Sequence, residues 1–165
     1  MAKHYESQKD RENEVDIVRV LLSKGMVAKK LPAMHCLDWA VLTASGSVIA
    51  FVEIKDRPTW KHKYGNIIIN LEKWANLCSL QESSGVPCLF AVRIKDGETP
   101  DEKGGVYVVG VKPVRSLAGK VEVRMFMRNN RAQSGYKAVI GIPFENFSDE
   151  VIAQSYLRGI SRDSG

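Results

Sequence analysis

The chain has 165 residues, 44% hydrophobic and 26% charged, the balance of an ordinary globular protein long enough to bury a core. Its 24 basic and 19 acidic residues leave a net charge of +5, which suits a polyanionic partner without demanding one, because the two signs are interspersed. The opening MAKHYESQKD lacks the apolar centre of a signal peptide, and the longest apolar runs, VIAFV and III, are too short to span a bilayer, so a cytoplasmic protein without a membrane partner is expected.

The elements follow in chain order. Residues from about Glu6 to Lys24 are expected to form a helix closed by Gly25. Ile17, Val18, Leu21 and Leu22 give it an apolar stripe, and Glu14, four residues before Val18, falls on that inward stripe. Met26 to Leu31 read as a short extended piece stopped at Pro32. LDWAVLTA and SVIAFVEIKD read as two strands around Ser45-Gly46, apolar on both faces as in the middle of a covered sheet. NLEKWANLCSLQESSG reads as a helix capped by Asn70, striped by Leu71, Trp74, Leu77 and Cys78, and ended by Gly85.

VPCLFAVRI is the next strand and KDGETPDEKGG a polar loop. VYVVGV and VEVRMFM are further strands, NNRAQSGYK an exposed basic loop, and AVIGIPF a late strand. Ser148, with Asp149 and Glu150 behind it, starts a short last helix. This order predicts an α/β fold, a central mixed β-sheet flanked by helices with extra C-terminal strands. One domain over 1–165 is expected, with a core of about 5–95 and additions over about 104–160.

Cys36, Cys78 and Cys88 are odd in number and carry no metal-type spacing, which fits free thiols in a reducing compartment. His35-Cys36 beside Asp38 lacks a second ligand pair at a zinc spacing, so it reads as a buried thiol and a loop histidine.

The chemistry concentrates in FVEIKDR, residues 51–57. With Ser45-Gly46 as a two-residue turn, Ala44 pairs with Ser47, paired positions sum to 91, and Asp38 falls opposite Glu53. Directly opposed side chains share a face with Cβ atoms ~4.5–5.5 Å apart. Two carboxylates that close repel unless a cation sits between them. Alternation puts Lys55 on the same face, and Glu14 is expected to approach it from the first helix. Hard oxygen ligands favour Mg²⁺ or Mn²⁺. Lys55 would orient an attacking water or stabilise charge developing on a phosphodiester.

ENEVDIVRVLLSKGMVAKKLP, then LDWAVL, then AFVEIKDR, resemble the PD-(D/E)XK nuclease superfamily, with its restriction-endonuclease-like core. Within it they look most like the Holliday junction resolvases of archaea and viruses. The likeness covers about residues 10 to 58. It departs at Leu37, where that group often has proline, and in the longer region after residue 95. The resemblance implies that Asp38, Glu53 and the backbone carbonyl of Ile54 bind Mg²⁺, that Glu14 supports the metal, and that Lys55 acts on the water. It also implies a homodimer acting on DNA, branched DNA above all, in the cytoplasm or, for a viral protein, the host-cell cytoplasm.

Further residues suit a nucleic-acid substrate. DRPTWKHKYGN mixes Arg57, Lys61, His62 and Lys63 with Trp60 and Tyr64; cations hold phosphates and rings stack on exposed bases. Packed aromatics on a mundane basic loop are the plainer alternative. Lys73 is placed to reach a phosphate, with Trp74 in the core. Lys29 and Lys30 are candidates to flank the groove. Arg128 and Arg131 form a second basic cluster that reads equally well as a solvated hairpin tip. The sequence thus predicts a Mg²⁺-dependent endonuclease of branched DNA. The alternatives are a nuclease of linear duplex or single-stranded DNA, and an inactive DNA-binding scaffold.

Overall fold

The computed structural model describes residues 8–32, 37–57, 65–95, 97, 104–130 and 133–163, with the backbone alone at 128–130, 133 and 134. Helix α1 (Gln8–Leu21) leads through a turn into strand β1 (Val27–Lys30), followed by β2 (Trp39–Leu42) and the long β3 (Val48–Arg57). Strand β4 (Asn66–Asn70) runs without a break into helix α2 (Leu71–Ser84), and β5 (Cys88–Ile94) and β6 (Gly105–Gly110) follow. The C-terminal part holds β7 (Glu122–Asn130), β8 (Gln133–Pro143), the two-residue β9 (Ser148–Asp149) and helix α3 (Glu150–Asp163).

Six strands form a mixed sheet in the order β1-β2-β3-β5-β6-β9, and three more form a second sheet, β4-β8-β7. Among the described residues only β3 and β5 pair in parallel, as a strand–helix–strand crossover through α2 requires. The fold is the expected mixed α/β sheet flanked by helices. On one face of the large sheet, Ile17, Val18 and Leu21 of α1 and Ala153 and Leu157 of α3 pack against Val52 and Ile54. On the other, Trp74 and Leu77 of α2 and Ile140 and Ile142 of β8 pack against Phe90 and Val92. The central strand β3 is therefore covered on both sides, which accounts for its lack of polar alternation.

Asn70 accepts hydrogen bonds from the Glu72 and Lys73 amides and Gly85 adopts φ 69° at the other end, so α2 starts and stops where its cap residues require. Trp74 is buried and donates from Nε1 to the Lys112 carbonyl at 2.9 Å.

Three expectations change, and one strand goes beyond them. Asn66–Asn70 form β4, paired along its length with Val139–Pro143 of β8. NNRAQSGYK is no free basic loop, since β7 and β8 pair as far as Asn130 and Gln133. Ser148 belongs to β9, and it is Asp149 that caps α3 by accepting from the Ile152 amide at 3.0 Å; the helix is a full 14 residues. The β2–β3 connection is also longer than a two-residue turn. Thr43 donates to Ser47 at 2.9 Å and accepts from Gly46 at 3.0 Å, with Gly46 at φ 93°.

Candidate active site

The longer connection does not displace the site. Leu42 pairs with Val48, but Val41 pairs with Ala50 and Trp39 with Val52, leaving Ile49 as an extra residue in a bulge. One residue added in the turn is cancelled by one added in the strand. The register therefore returns to the expected one, and its next step sets Asp38 across from Glu53. Asp38 Oδ2 accepts from the Ile54 amide at 2.9 Å, which pins the entrance of β2 to the strand that carries Glu53 and Lys55.

Glu53 is 0% exposed, the one buried charged residue among those described. A carboxylate out of water needs partners. Lys73, from the first turn of α2, makes an ion-pair contact with its Oε1, and the Lys55 ammonium lies 3.8 Å from the same oxygen. Neither oxygen receives a well-directed hydrogen bond. Burial, and then the Asp38 charge, push Glu53 up to about 7 against the pull of Lys73 and Lys55. Burial, and then the Lys73 charge, lower the pKa of Lys55. Asp56 turns to the other face and is gripped by Arg93 at 2.7 and 3.2 Å, so the charge alternation along β3 separates this pair from the Glu53 cluster.

Glu14 is placed differently from expectation. It is paired with Lys30 and accepts from Trp39 Nε1 at 3.0 Å. Alternation explains this: Trp39 packs on the α1 side with Val52 and Ile54, whereas Asp38 and Glu53 face the α2 side. Glu14 accordingly does not figure among the charges acting on Glu53.

The donor set suits a hard divalent cation. Asp38 and Glu53 offer carboxylate oxygens, the hard donors that Mg²⁺ sites use along with water and substrate phosphate. Glu53 Oε2, buried and without a partner, is an acceptor that such an ion would satisfy. Among the described residues, no three His, Cys, Asp or Glu side chains converge to hold a metal unaided.

The family model described as "Phage putative PDDEXK endonuclease" matches residues 1–100. The chain belongs to this family. That membership identifies it as a nuclease. Among solved structures, D212, a nuclease from a fusselovirus, is 10% identical, with 94% of this chain and 88% of that one covered at a TM-score of 0.49. No curated protein matches the sequence.

In this PDDEXK chain, a cavity of about 530 Å³ opens beside Lys55. Its lining includes Arg57 of β3, Lys73 of α2 and Lys137 of β8, with Glu72 the sole acid. Arg57 donates from Nη2 to the Ile68 carbonyl at 2.7 Å, which ties β3 to β4. Lys29 is exposed on β1 and pairs with Ala40, so alternation puts it on the Asp38 face, while Lys30 is spent on Glu14 and the Trp39 ring. Trp60, Lys61, His62, Lys63, Tyr64 and Arg131, with His35 and Cys36, lie outside the described residues, as does the Arg128 side chain. Leu37, the residue before Asp38, is buried in the α2-side core. Cys78 and Cys88 are free thiols. Among the described residues no helix is long and apolar enough to cross a membrane.

Sequence reasoning placed Lys73 near a phosphate but missed its contact with Glu53. The available signal was the Asn70 cap, which fixes Lys73 in the first helical turn. It missed Phe126 and Lys137 as cavity lining, because their placement depends on the pairing of two distant strands.

The buried carboxyl makes a pH prediction. Below the ordinary value of 4.5 Glu53 is protonated in folded and unfolded chains alike, and up to about 7 only the folded chain keeps the proton. Metal-free protein therefore loses stability as pH rises through that window, and the loss is complete above its upper end. A raise of this size corresponds to on the order of 3 kcal/mol. Glu53→Gln keeps the shape and removes the charge. Urea unfolding in chelator at several pH values is expected to give a flatter curve for the variant; parallel curves would remove Glu53 as the cause.

Proposed function

We propose that the chain is a Mg²⁺- or Mn²⁺-dependent endonuclease that hydrolyses phosphodiester bonds of DNA at branched structures. The observation that carries the reading is Glu53: a fully buried carboxylate whose Oε2 has no partner, facing Asp38 and flanked by two lysines. Asp38, Glu53 and the Ile54 carbonyl would hold the ion, which when bound polarises the phosphodiester and acidifies a water ligand.

Lys55 is the residue assigned to the water. Burial and the Lys73 charge lower its pKa, and its charged form stabilises the negative charge that develops as the water attacks. Lys73 balances the charge of Glu53 and, lining the cavity, would be within reach of a substrate phosphate. Glu14 supports the site indirectly, by gripping Trp39 next to Asp38.

Resolving a junction takes two cuts, which a homodimer supplies. The exposed apolar face of the β7–β8 hairpin, with Val123, Met125, Met127 and Tyr136 on one side of the sheet, is assigned to the second copy. Sedimentation velocity is expected to show a dimer that Met125→Glu splits.

The substrate assignment is tested by incubating the protein with four-way junction, linear duplex and single-stranded DNA, with Mg²⁺ or chelator. Paired symmetric nicks in the junction, lost in chelator, are the expected result. Preferential cutting of linear duplex would replace the resolvase reading with a restriction or repair one. No cutting with Mg²⁺ or Mn²⁺ would make the chain a binding scaffold.

A further inference from the structure

The cavity beside Lys55 has one wall that the hydrolytic chemistry does not need. Phe126 of β7 stands directly opposite Lys137 of β8, so the two side chains share a face, and both line the cavity together with Arg57 and Lys73. Phe126 is 52% exposed. It has no ring or cation partner among the described residues, although aromatic contacts elsewhere tie Phe90, Phe144 and Phe147 together. An open ring in a cationic recess presents a flat aromatic face to a ligand.

The combination narrows the ligand. Four cations around one acid call for phosphate, and the ring calls for a flat, stackable face. The volume of about 530 Å³ lies within the ~300–1,000 Å³ range of sites that enclose a small ligand. A base inside intact duplex has both faces covered by its neighbours and cannot meet Phe126. A base displaced from the stack can. Asn76, exposed on α2 at the cavity rim, adds donors and an acceptor for a base edge.

We infer that this cavity receives one unpaired nucleotide adjoining the bond to be cut, its base stacked on Phe126 and its phosphate held by Lys137 and Arg57. The inference rests on the DNA-nuclease reading and deepens it. The substrate class becomes DNA with a nucleotide out of the duplex beside the scissile phosphate, and the β7–β8 hairpin becomes the element that selects it. The stacking face is opposite the Met125–Tyr136 face assigned to the second copy, so both surfaces operate at once.

The experiment uses duplexes carrying 2-aminopurine at one unpaired position, or fully paired at the same position, in chelator so that nothing is cut. Binding of the wild-type chain is expected to quench emission from the unpaired base. Phe126→Leu replaces the ring at an exposed position. It is expected to bind the unpaired substrate about tenfold more weakly and to leave its emission unquenched at saturation. Its preference for unpaired over paired DNA should vanish. Quenching that persists in the variant overturns the inference, and so does an equal loss of affinity for both DNAs. Separate incubation with Mg²⁺ and Mn²⁺ reads the nuclease assignment by itself. Quenching without cutting would keep the nucleotide site and discard the reaction, while cutting without quenching would do the reverse.

Discussion

Lys55→Ala is expected to slow DNA cleavage by about 10²–10³-fold, the cost of deleting one group aimed at developing charge. The same substitution should change DNA affinity in chelator by less than about threefold, because an interaction realised in the transition state contributes to kcat and not to ground-state binding. The geometry explains the separation. Lys55 is 3.8 Å from Glu53 and its side chain is 39% exposed, so it is near enough to respond to a metal at Glu53 and open enough to meet solvent or substrate. Its ammonium is disfavoured by burial and by Lys73, so its loss relieves some repulsion and should leave the thermal midpoint unchanged or raised. Single-turnover cleavage and equilibrium binding on one DNA check both halves. A variant that cuts at the wild-type rate would remove Lys55 from the reaction, and one that fails to bind would make it a phosphate contact.

The parts of the fold legible in the sequence are those set by local rules. The α2 boundaries follow from Asn70 and Gly85, whose capping geometry is intrinsic to those residue types. The doubly apolar β3 announced a strand covered on both sides. What was not legible depends on distant pairing: β4 looks like a bare Ile67–Ile69 run until β8 is beside it, and the β7–β8 hairpin extends through residues that read as a polar basic loop. The site falls between these cases. The expectation that Asp38 and Glu53 are opposed used the wrong turn, and it succeeded because the bulge at Ile49 restores the register. Glu14 shows the opposite failure. Its inward position was readable from helical spacing, but which face of the sheet α1 covers was not, and that face carries Trp39 rather than Glu53.

Asp38→Asn is expected to weaken Mn²⁺ binding, measured by calorimetry, by about a hundredfold or more, beyond the ~10–100-fold that loss of an outer-shell partner costs. Cleavage at fixed Mg²⁺ should fall at least as far. Asn separates the two tasks of Asp38. Its amide oxygen can still accept from the Ile54 amide, the bond that Asp38 makes at 2.9 Å, so the β2 entrance stays anchored while the charge goes. Asp38→Ala removes both, and leaving that buried amide unpaired adds about 1–3 kcal/mol of instability. The Asn variant also relieves Glu53, since the Asp38 charge is the second cause of its raised pKa after burial. Glu53 should then titrate at lower pH, with a narrower window over which metal-free stability falls. A merely structural Asp38 would give stable Asn and unstable Ala variants with ion affinity intact in both. A metal ligand gives an Asn variant that is folded, shifted in its pH profile and poor at holding Mn²⁺, and only that pattern ties the carboxylate pair to the cation.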